Sequence, residues 1–276
     1  MKLGISRVSL LVVVIASCSN NTSNSENNNT KPDTTSTITP TINYNPVNVY
    51  PHDTGSFTEG FLMHEGKLYE STGATPQLPQ TRSLFGVVNL KTGTIDKKIE
   101  LDKKLYFGEG IAFFKNKIYQ LTYKTKIGFV YDAKTFKQLS TFTFPSTEGW
   151  GMTIDSADLI MSDGTDILTW LDPVTLKPVK TISVTDEKGP VLNVNELEFI
   201  NGFIYANVYG TDLIVKIDPA TGKVKGRLDL TSVVNMEKNK FPGTLEMNGI
   251  AYDPATDKIY VTGKMWPHIY EIQFEH

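Results

Sequence analysis

Carboxylate, amide and aromatic side chains recur in five short motifs that are spread evenly through most of the chain. The motifs are Phe57-Thr58-Glu59-Gly60, Phe107-Gly108-Glu109-Gly110, Glu148-Gly149-Trp150-Gly151, Val194-Asn195-Glu196-Leu197 and Met247-Asn248-Gly249. A carboxyl group among aromatic side chains is partly desolvated, which raises its pKa and suits it to proton transfer near neutral pH. Glu109 is the strongest candidate for this chemistry.

Four aromatic residues could supply the apolar surroundings of Glu109, and one lysine could supply a positive charge. The aromatic candidates are Phe107, Tyr123, Trp150 and Tyr209, and the lysine is Lys264, directly after Gly263. Spacing alone leaves a second interpretation open, in which Glu109 and Lys264 are solvated or only ion-paired. The strands that position these residues decide between the two interpretations of Glu109 and Lys264.

The five motifs mark a repeat of about 47 residues, since four steps separate Glu59 from Asn248. Each motif opens an apolar strand, and a second strand follows after a tight turn, for example Lys117-Ile118-Tyr119 after Glu109. Four repeats then continue to a turn of the form Asp/Asn-x-x-Thr. This length and pattern are typical of a four-stranded blade, so the chain is predicted to be an all-β, five-bladed β-propeller.

Equivalent positions at the start of each innermost strand of a propeller converge on one central channel. The ring predicted at the channel mouth consists of Glu59, Glu109, Trp150, Asn195, Glu196 and Asn248. These side chains are too polar to serve only as filling for a hole in the fold. The ring is therefore a candidate binding site.

The last repeat contains only three predicted strands, Gly249 to Asp253, Lys258 to Lys264 and His268 to Phe274. A blade that lacks its fourth strand leaves an unpaired edge. We expect Val47 to Tyr50 to supply that strand and close the ring. An extended arm without a partner is the alternative.

The N-terminus has the pattern of an export signal. Lys2 and Arg7 precede the apolar stretch Val8 to Ile15, and Ile15-Ala16-Ser17-Cys18 resembles a bacterial lipobox, in which the cysteine is acylated. We expect residues 1–17 to be a lipoprotein signal peptide, residues 18–41, rich in Asn, Ser and Thr, to be a disordered tether, and residues 42–276 to be the folded domain. An ordinary secretory signal with a chance Cys18 is the alternative, and both imply export.

Composition argues against several other classes of site. Cys18 is the only cysteine, so the folded domain has no disulfide, thiol nucleophile or cysteine-bound metal. The four histidines include no pair at metal-ligand spacing, and no nucleophile elbow, phosphate loop or dinucleotide fingerprint occurs. Loss of Lys2 and Arg7 takes the formal charge from −3 to −5, which disfavours a nucleic-acid partner. The Asp/Asn-x-x-Thr segments are interpreted as hairpin turns and not as calcium loops.

Several segments in register resemble the plant-type glutaminyl cyclases, a family that also occurs in bacteria. The segments are Phe107 to Gly110, Glu148 to Gly151, Leu192 to Glu198, Tyr205 to Val208 and Met247 to Ala251, with Tyr69 to Gly73, Gly263-Lys264 and Trp266-Pro267. The resemblance extends from about Ser56 to Phe274. A match of several segments in register is much more specific than a match of any one motif.

The resemblance implies an enzyme that converts N-terminal glutaminyl residues of peptides or proteins to 5-oxoproline with loss of ammonia. By motif match, Glu109 takes the position of the family's acid/base carboxylate, and the substrate pocket takes Phe57, Phe107, Trp150, Asn195 and Lys264. Three further pocket positions depart from the family pattern, with Glu59 in place of Gln and with Tyr123 and Tyr209 in place of Trp. No cofactor and no metal are expected, and the protein is expected to be an exported monomer that a lipid on Cys18 anchors to the membrane.

Two other functions remain open at this point. The same residues would suit a non-catalytic lipoprotein propeller that binds peptide or glycan. A metal-dependent, lactonase-like propeller would instead use Glu59, Glu109, Asn195 and Asn248 as ligands of one cation.

Overall fold

The computed structural model describes residues 38–276. The predicted signal peptide, Cys18 and all but the last residues of the predicted tether lie outside this range. No helix of the described part is both long and apolar enough to cross a membrane.

The described chain is built almost entirely of short strands. In chain order they are β1 (Tyr44–Pro51), β2 (Phe57–His64), β3 (Lys67–Gly73), β4 (Leu84–Val88), β5 (Ile95–Glu100), β6 (Gly108–Phe114), β7 (Lys117–Thr122), β8 (Ile127–Asp132), β9 (Gln138–Thr143), β10 (Met152–Ile154), β11 (Leu159–Met161), β12 (Ile167–Leu171), β13 (Pro178–Ser183), β14 (Thr185–Asp186), β15 (Gly189–Pro190), β16 (Val194–Ile200), β17 (Phe203–Val208), β18 (Leu213–Ile217), β19 (Val224–Asp229), β20 (Met247–Asp253), β21 (Lys258–Gly263) and β22 (His268–Phe274), and the helix α1 (Thr231–Lys240) lies between β19 and β20.

The strands form five four-stranded antiparallel sheets and one small hairpin, β14-β15. Four sheets are consecutive in sequence, in the orders β2-β3-β4-β5, β6-β7-β8-β9, β10-β11-β12-β13 and β16-β17-β18-β19. The fifth has the order β20-β21-β22-β1, with Val49 opposite Tyr270. The first strand of the domain is therefore the outer strand of the last sheet.

The innermost strands of the five sheets pack side by side around one axis. β2 contacts β6, β6 contacts β10, β10 contacts β16, β16 contacts β20, and β20 contacts β2 again. The predicted five-bladed propeller is thus confirmed. Burial follows the same order, since almost all of β6 is buried whereas β9, at the outer edge of its sheet, is mostly exposed.

Glycine allows neighbouring innermost strands to approach closely. The N–H of Gly110 donates a hydrogen bond to the carbonyl of Trp150 at 2.8 Å, and a Cβ at Gly110 would overlap that backbone. A Cβ at Gly151 would likewise overlap the backbone of Asn195. The glycine that closes each of these motifs is therefore required by backbone contact at the axis.

Two local features differ from the sequence prediction. The helix α1 was not predicted, and it lacks the usual signals because its N-cap is Leu230, without a side-chain cap, and its first turn has no acidic residue. The domain also begins earlier than residue 42. Thr39 is buried against Glu187, and the backbone of Pro40 accepts a hydrogen bond from the N–H of Arg227 at 2.9 Å.

The Asp/Asn-x-x-Thr segments form closed hairpin turns. At Asp132, one carboxylate oxygen accepts hydrogen bonds from the backbone and hydroxyl of Thr135, which hold the pKa of Asp132 below its usual value. Asp172 accepts a hydrogen bond from the backbone N–H of Thr175, and Asp218 accepts one from the hydroxyl of Thr221 and another from the backbone N–H of Ala220. The carboxylate oxygens of these aspartates thus accept hydrogen bonds within their own turns, as predicted.

Glu196 links three blades across the axis. Its Oε1 accepts a hydrogen bond from the N–H of Phe61 at 3.1 Å, and its Oε2 accepts one from the N–H of Ile250 at 2.8 Å. Those donors belong to β2 and β20, whereas Glu196 belongs to β16. One buried carboxyl group thus satisfies two buried backbone donors on neighbouring sheets.

Glu196→Gln should destabilise the propeller by about 1–3 kcal/mol, because an amide NH₂ would face one of the two buried N–H groups. Urea unfolding would measure the difference. Glu198→Gln is the matched control on the same strand, because Glu198 accepts a single hydrogen bond, from the N–H of Tyr252, which the amide oxygen can still accept. Equal unfolding midpoints for the two variants would contradict the linking role of Glu196.

Candidate active site

A cavity of about 230 Å³ lies at the channel mouth, where the innermost strands begin. It is lined by Phe57, Glu59, Thr75, Phe107, Glu109, Tyr123, Trp150, Asn195, Tyr209 and Lys264. The structure therefore brings together all nine residues that the sequence assigned to the pocket. Their chemical roles remain predictions.

Antiparallel pairing explains why these residues meet. The start of each innermost strand lies beside the end of the second strand of its sheet, as Gly108 lies opposite Thr122. Tyr123, Tyr209 and Lys264 directly follow such second strands, so they join the residues that open the innermost ones. Thr75 was missed, because it lies two residues beyond the end of β3 and not directly after a second strand.

Two members of the predicted ring do not line the cavity. Glu196 is buried and accepts hydrogen bonds from the backbone of the first and last blades. Asn248 is fully buried and donates hydrogen bonds from Nδ2 to the carbonyl of Thr58 at 3.0 Å and to Oε2 of Glu59 at 3.2 Å. Both residues support the site from behind its wall. Within residues 38–276 no group of three or more His, Cys, Asp and Glu is placed to hold a metal ion.

Among the carboxyl groups of the cavity, Glu109 has the fewest hydrogen bonds to offset its burial. The residue is only 4% exposed, and its Oε2 is buried without a hydrogen-bond partner among the described residues. Burial raises the pKa of Glu109 well above its usual range, the nearby charge of Glu59 raises it further, and Lys264 opposes both effects. The neutral acid is therefore favoured to a much higher pH than in an exposed glutamate.

Glu59 and Lys264 form an ion pair in the wall of the cavity. The distance from Nζ of Lys264 to Oε1 of Glu59 is 2.6 Å, and both side chains are almost completely buried. Burial raises the pKa of Glu59 to about 7, against the lowering effect of Lys264. Burial by itself would lower the pKa of Lys264, but Glu59 and Glu109 outweigh it and raise that pKa. Lys264 is thus a cation at neutral pH.

Aromatic rings enclose these charges. Phe57 packs edge-on against Phe107 with centroids 5.8 Å apart, Phe107 contacts Tyr123 at 5.7 Å, and Trp150 packs edge-on against Tyr209 at 5.7 Å. Nζ of Lys264 lies 4.5 Å from the centroid of the Phe57 ring, a cation–π contact. The apolar walls lower the local dielectric constant, so each charge acts strongly on its neighbours.

Asn195 supplies a free amide. The residue is 2% exposed, and its Oδ1 is buried without a partner among residues 38–276. A buried amide without a partner costs free energy unless a ligand completes its hydrogen bonds. Asn195 and Glu109 therefore present two unsatisfied polar groups to the same cavity.

The turn that carries Lys264 is held by a buried histidine. Nδ1 of His52 lies 2.8 Å from the carbonyl oxygen of Trp266, and Nε2 lies 3.1 Å from both carboxylate oxygens of Glu70. Since a carbonyl and a carboxylate both accept hydrogen bonds, both ring nitrogens carry a proton. Burial opposes the charged ring, but Glu70 outweighs it and raises the pKa of His52. Oε1 of Glu70 also accepts a hydrogen bond from the hydroxyl of Thr58, the neighbour of Glu59.

Comparison with known proteins gives concordant matches over most of the chain. The family model described as glutamine cyclotransferase matches residues 10–274. A glutaminyl-peptide cyclotransferase of Arabidopsis thaliana is 34% identical over 229 residues, which are 82% of this chain and 69% of the relative. The crystal structure of Myxococcus xanthus glutaminyl cyclase superposes with a TM-score of 0.76 and 31% identity, covering 84% of this chain and 96% of that one.

The His52–Glu70 pair gives the stability of the domain a pH dependence. A histidine whose folded pKa is raised contributes stability that is present below its unfolded pKa of about 6.5 and is lost as the pH rises through the folded value. His52→Gln leaves Glu70 buried without a cation, so it should cost about 3–5 kcal/mol at pH 6. The cost should shrink towards pH 9, as measured by urea unfolding at both pH values.

His64→Gln is the matched control, because His64 is partly exposed and burial lowers its pKa instead of raising it. Asp53 and Glu70 are the carboxylates whose charges raise the pKa of His52, and both remain in the His52 variant. A loss of stability in His52→Gln that is the same at pH 6 and pH 9 would show that His52 is neutral in the folded state.

Proposed function

The chain belongs to the glutamine cyclotransferase family, and on that premise we propose that it converts N-terminal glutaminyl residues of peptides to 5-oxoproline with release of ammonia. The family resemblance seen in the sequence is confirmed by these matches. The observation that carries the proposal in the structure is Glu109, a buried carboxyl group with an unpaired oxygen in an aromatic cavity. Groups with a perturbed pKa in a cavity are typical of acid/base sites.

The reaction needs one proton to move between two nitrogens of the same substrate residue. The neutral α-amine attacks the side-chain carboxamide carbon, and a new C–N bond forms while the carbonyl electron pair moves to oxygen. Glu109, as the carboxylate, accepts a proton from the attacking nitrogen. The bond to the carboxamide nitrogen then breaks, Glu109 returns the proton to it, and ammonia leaves as the C=O bond forms again.

The raised pKa of Glu109 suits both halves of this transfer. An α-amine titrates at about 7.7–8.0, so an ordinary carboxylate would be a much weaker base than the amine. Because burial and Glu59 raise the pKa of Glu109, the free-energy difference between the two proton sites becomes smaller. A positioned group of this kind is most effective when its pKa lies close to the working pH.

Lys264 and Asn195 are proposed to bind the carboxamide. The oxygen gains negative charge as the amine attacks, and the Lys264 ammonium or the Asn195 amide can donate a hydrogen bond to it. Glu59 holds Lys264 in place through the 2.6 Å ion pair, and Asn248 in turn supports Glu59. The aromatic walls keep the flexible glutaminyl side chain in a folded pose and limit competing hydrolysis by water.

Glu109→Gln should lower kcat by about 10² to 10⁴, because it preserves the shape of the side chain and removes the proton carrier. Release of ammonia from a dipeptide that begins with Gln would measure the rate. A Glu109 variant within a factor of about three of an active wild type would refute the acid/base role of Glu109. No release of ammonia by the wild-type protein would instead favour a propeller that only binds peptides.

Glu59→Gln is the matched control, because it changes a neighbouring carboxyl group in the same way and introduces the usual family residue. Activity should be retained or increased. The acid limb of the kcat/KM profile should move to lower pH, because the pKa of Glu109 falls when the repulsive charge of Glu59 is removed and Lys264 is released. If Glu59→Gln is the inactive variant, the acid/base residue lies in the first blade.

We further propose that the protein is exported and anchored to a membrane by a lipid on Cys18. The support is sequence alone, namely Ile15-Ala16-Ser17-Cys18 after a short apolar stretch. Wild-type protein should partition with membranes, whereas Cys18→Ser should be recovered in the soluble fraction with unchanged activity per molecule. Fully soluble wild-type protein with an unacylated Cys18, shown by mass spectrometry, would contradict the lipid anchor.

A further inference from the structure

A second cavity lies at the opposite end of the propeller axis from the candidate active site. Its volume is about 340 Å³, within the range of small-molecule sites. The ends of all five innermost strands contribute to it, through Met63, Phe113, Ile154, Glu198 and Tyr252 among others. No residue lines both cavities.

Glu196 lies between the two cavities along β16. Asn195 belongs to the first cavity and Glu198 to the second, whereas Glu196 lines neither. Both carboxylate oxygens of Glu196 are occupied by backbone N–H groups of the first and last blades. The two cavities are thus chemically separate, and the second one is not an extension of the active site.

Glu198 is the only acidic residue that lines the second cavity, and the lining includes no lysine or arginine. The residue is 9% exposed, and its Oε1 accepts one hydrogen bond, from the N–H of Tyr252 at 2.8 Å. Burial raises the pKa of Glu198 to about 8. Glu59, by contrast, is a buried carboxyl group that is paired with a lysine of the same chain, Lys264. Glu198 has no such cation in the described part of the chain, so its ionised form would gain most from a cation brought by a ligand.

The other walls of this cavity are aromatic. The ring of His64 stacks on Phe113 with centroids 4.0 Å apart and an angle of 19° between the planes. Burial lowers the pKa of His64, so this ring does not supply the missing charge at neutral pH. Phe199 and Tyr252 also contribute to the lining. Aromatic faces beside a carboxylate form a favourable environment for an organic cation.

We propose that the cavity around Glu198 is a second binding site, separate from the active site, for a small organic cation with a primary ammonium group. The ammonium group pairs with the Glu198 carboxylate, and the carbon chain packs against His64, Phe113 and Tyr252. The carboxylate at the base of the site accepts hydrogen bonds from the ammonium group, and the apolar side walls contact the carbon chain. The site therefore selects an amine over a neutral molecule of the same shape.

A ligand pair in the wild-type protein provides the first test. The full chain, labelled with ¹³C at the methionine methyl groups, is titrated with n-butylammonium and, separately, with 1-butanol, its neutral counterpart. The Met63 methyl resonance should shift saturably with n-butylammonium, and 1-butanol should bind at least about tenfold more weakly, a difference of about 1.4 kcal/mol. Equal binding of the two, or no saturable shift with the amine, would overturn the proposal.

Two variants then locate the bound amine. Glu198→Gln keeps the acceptor for Tyr252 and removes the charge, so it should weaken amine binding at least about tenfold and leave the release of ammonia from a Gln dipeptide unchanged. Glu109→Gln, at the other mouth, should shift the Met63 methyl as wild type does. Wild-type affinity in Glu198→Gln, or loss of the Met63 shift in Glu109→Gln, would show that the amine binds elsewhere. If Glu198→Gln fails to fold, the ligand pair in wild-type protein still decides the question.

Discussion

The close approach of the five innermost strands at the propeller axis is the constraint on which the site depends. Gly110 and Gly151 let neighbouring backbones touch where any Cβ would overlap. The residues on either side of these glycines are consequently forced into one small volume at the channel mouth. Glu109 and Asn195 are desolvated because the packed backbones and side chains around them leave the two residues only 4% and 2% exposed. The chemistry of the cavity is thus a consequence of how tightly the blades meet.

Four buried carboxyl groups near the axis differ in the ion pairs and hydrogen bonds that offset the cost of their burial. Glu59 is paired with Lys264, Glu196 accepts two backbone N–H groups, and Glu198 accepts one. Glu109 has an oxygen with no partner among the described residues. Buried polar groups in folded proteins are normally satisfied, and an exception needs an explanation. The proposed reaction provides one, because a proton carrier must be free to bond first one substrate nitrogen and then the other.

The ends of the domain are joined to the site by the same contacts that hold Lys264. β1 is the outer strand of the last sheet, and His52 follows directly after it. The ring of His52 bonds the turn after Lys264 on one side and Glu70 of the first blade on the other. His52 thus connects the end of the N-terminal strand to the turn after Lys264 and to the first blade. A change that loosens the N-terminal strand should also disturb the cavity.

The sequence by itself determined the number of blades, the family and the composition of the candidate pocket. A repeat of about 47 residues is a local pattern that each blade carries in its own strands and turns, and a propeller maps equivalent positions onto one ring. Glu109, Trp150 and Asn195 could be placed at the channel mouth for that reason. Which residues of the ring face the cavity was decided only by the tertiary structure. Glu196 and Asn248 have the correct strand position, but their side chains bond the backbone or Glu59. The decisive contacts, Lys264 to Glu59 and His52 to Trp266, join residues 205 and 214 positions apart. Such pairs depend on how the first and last blades pack together, and no pattern within one repeat encodes that arrangement.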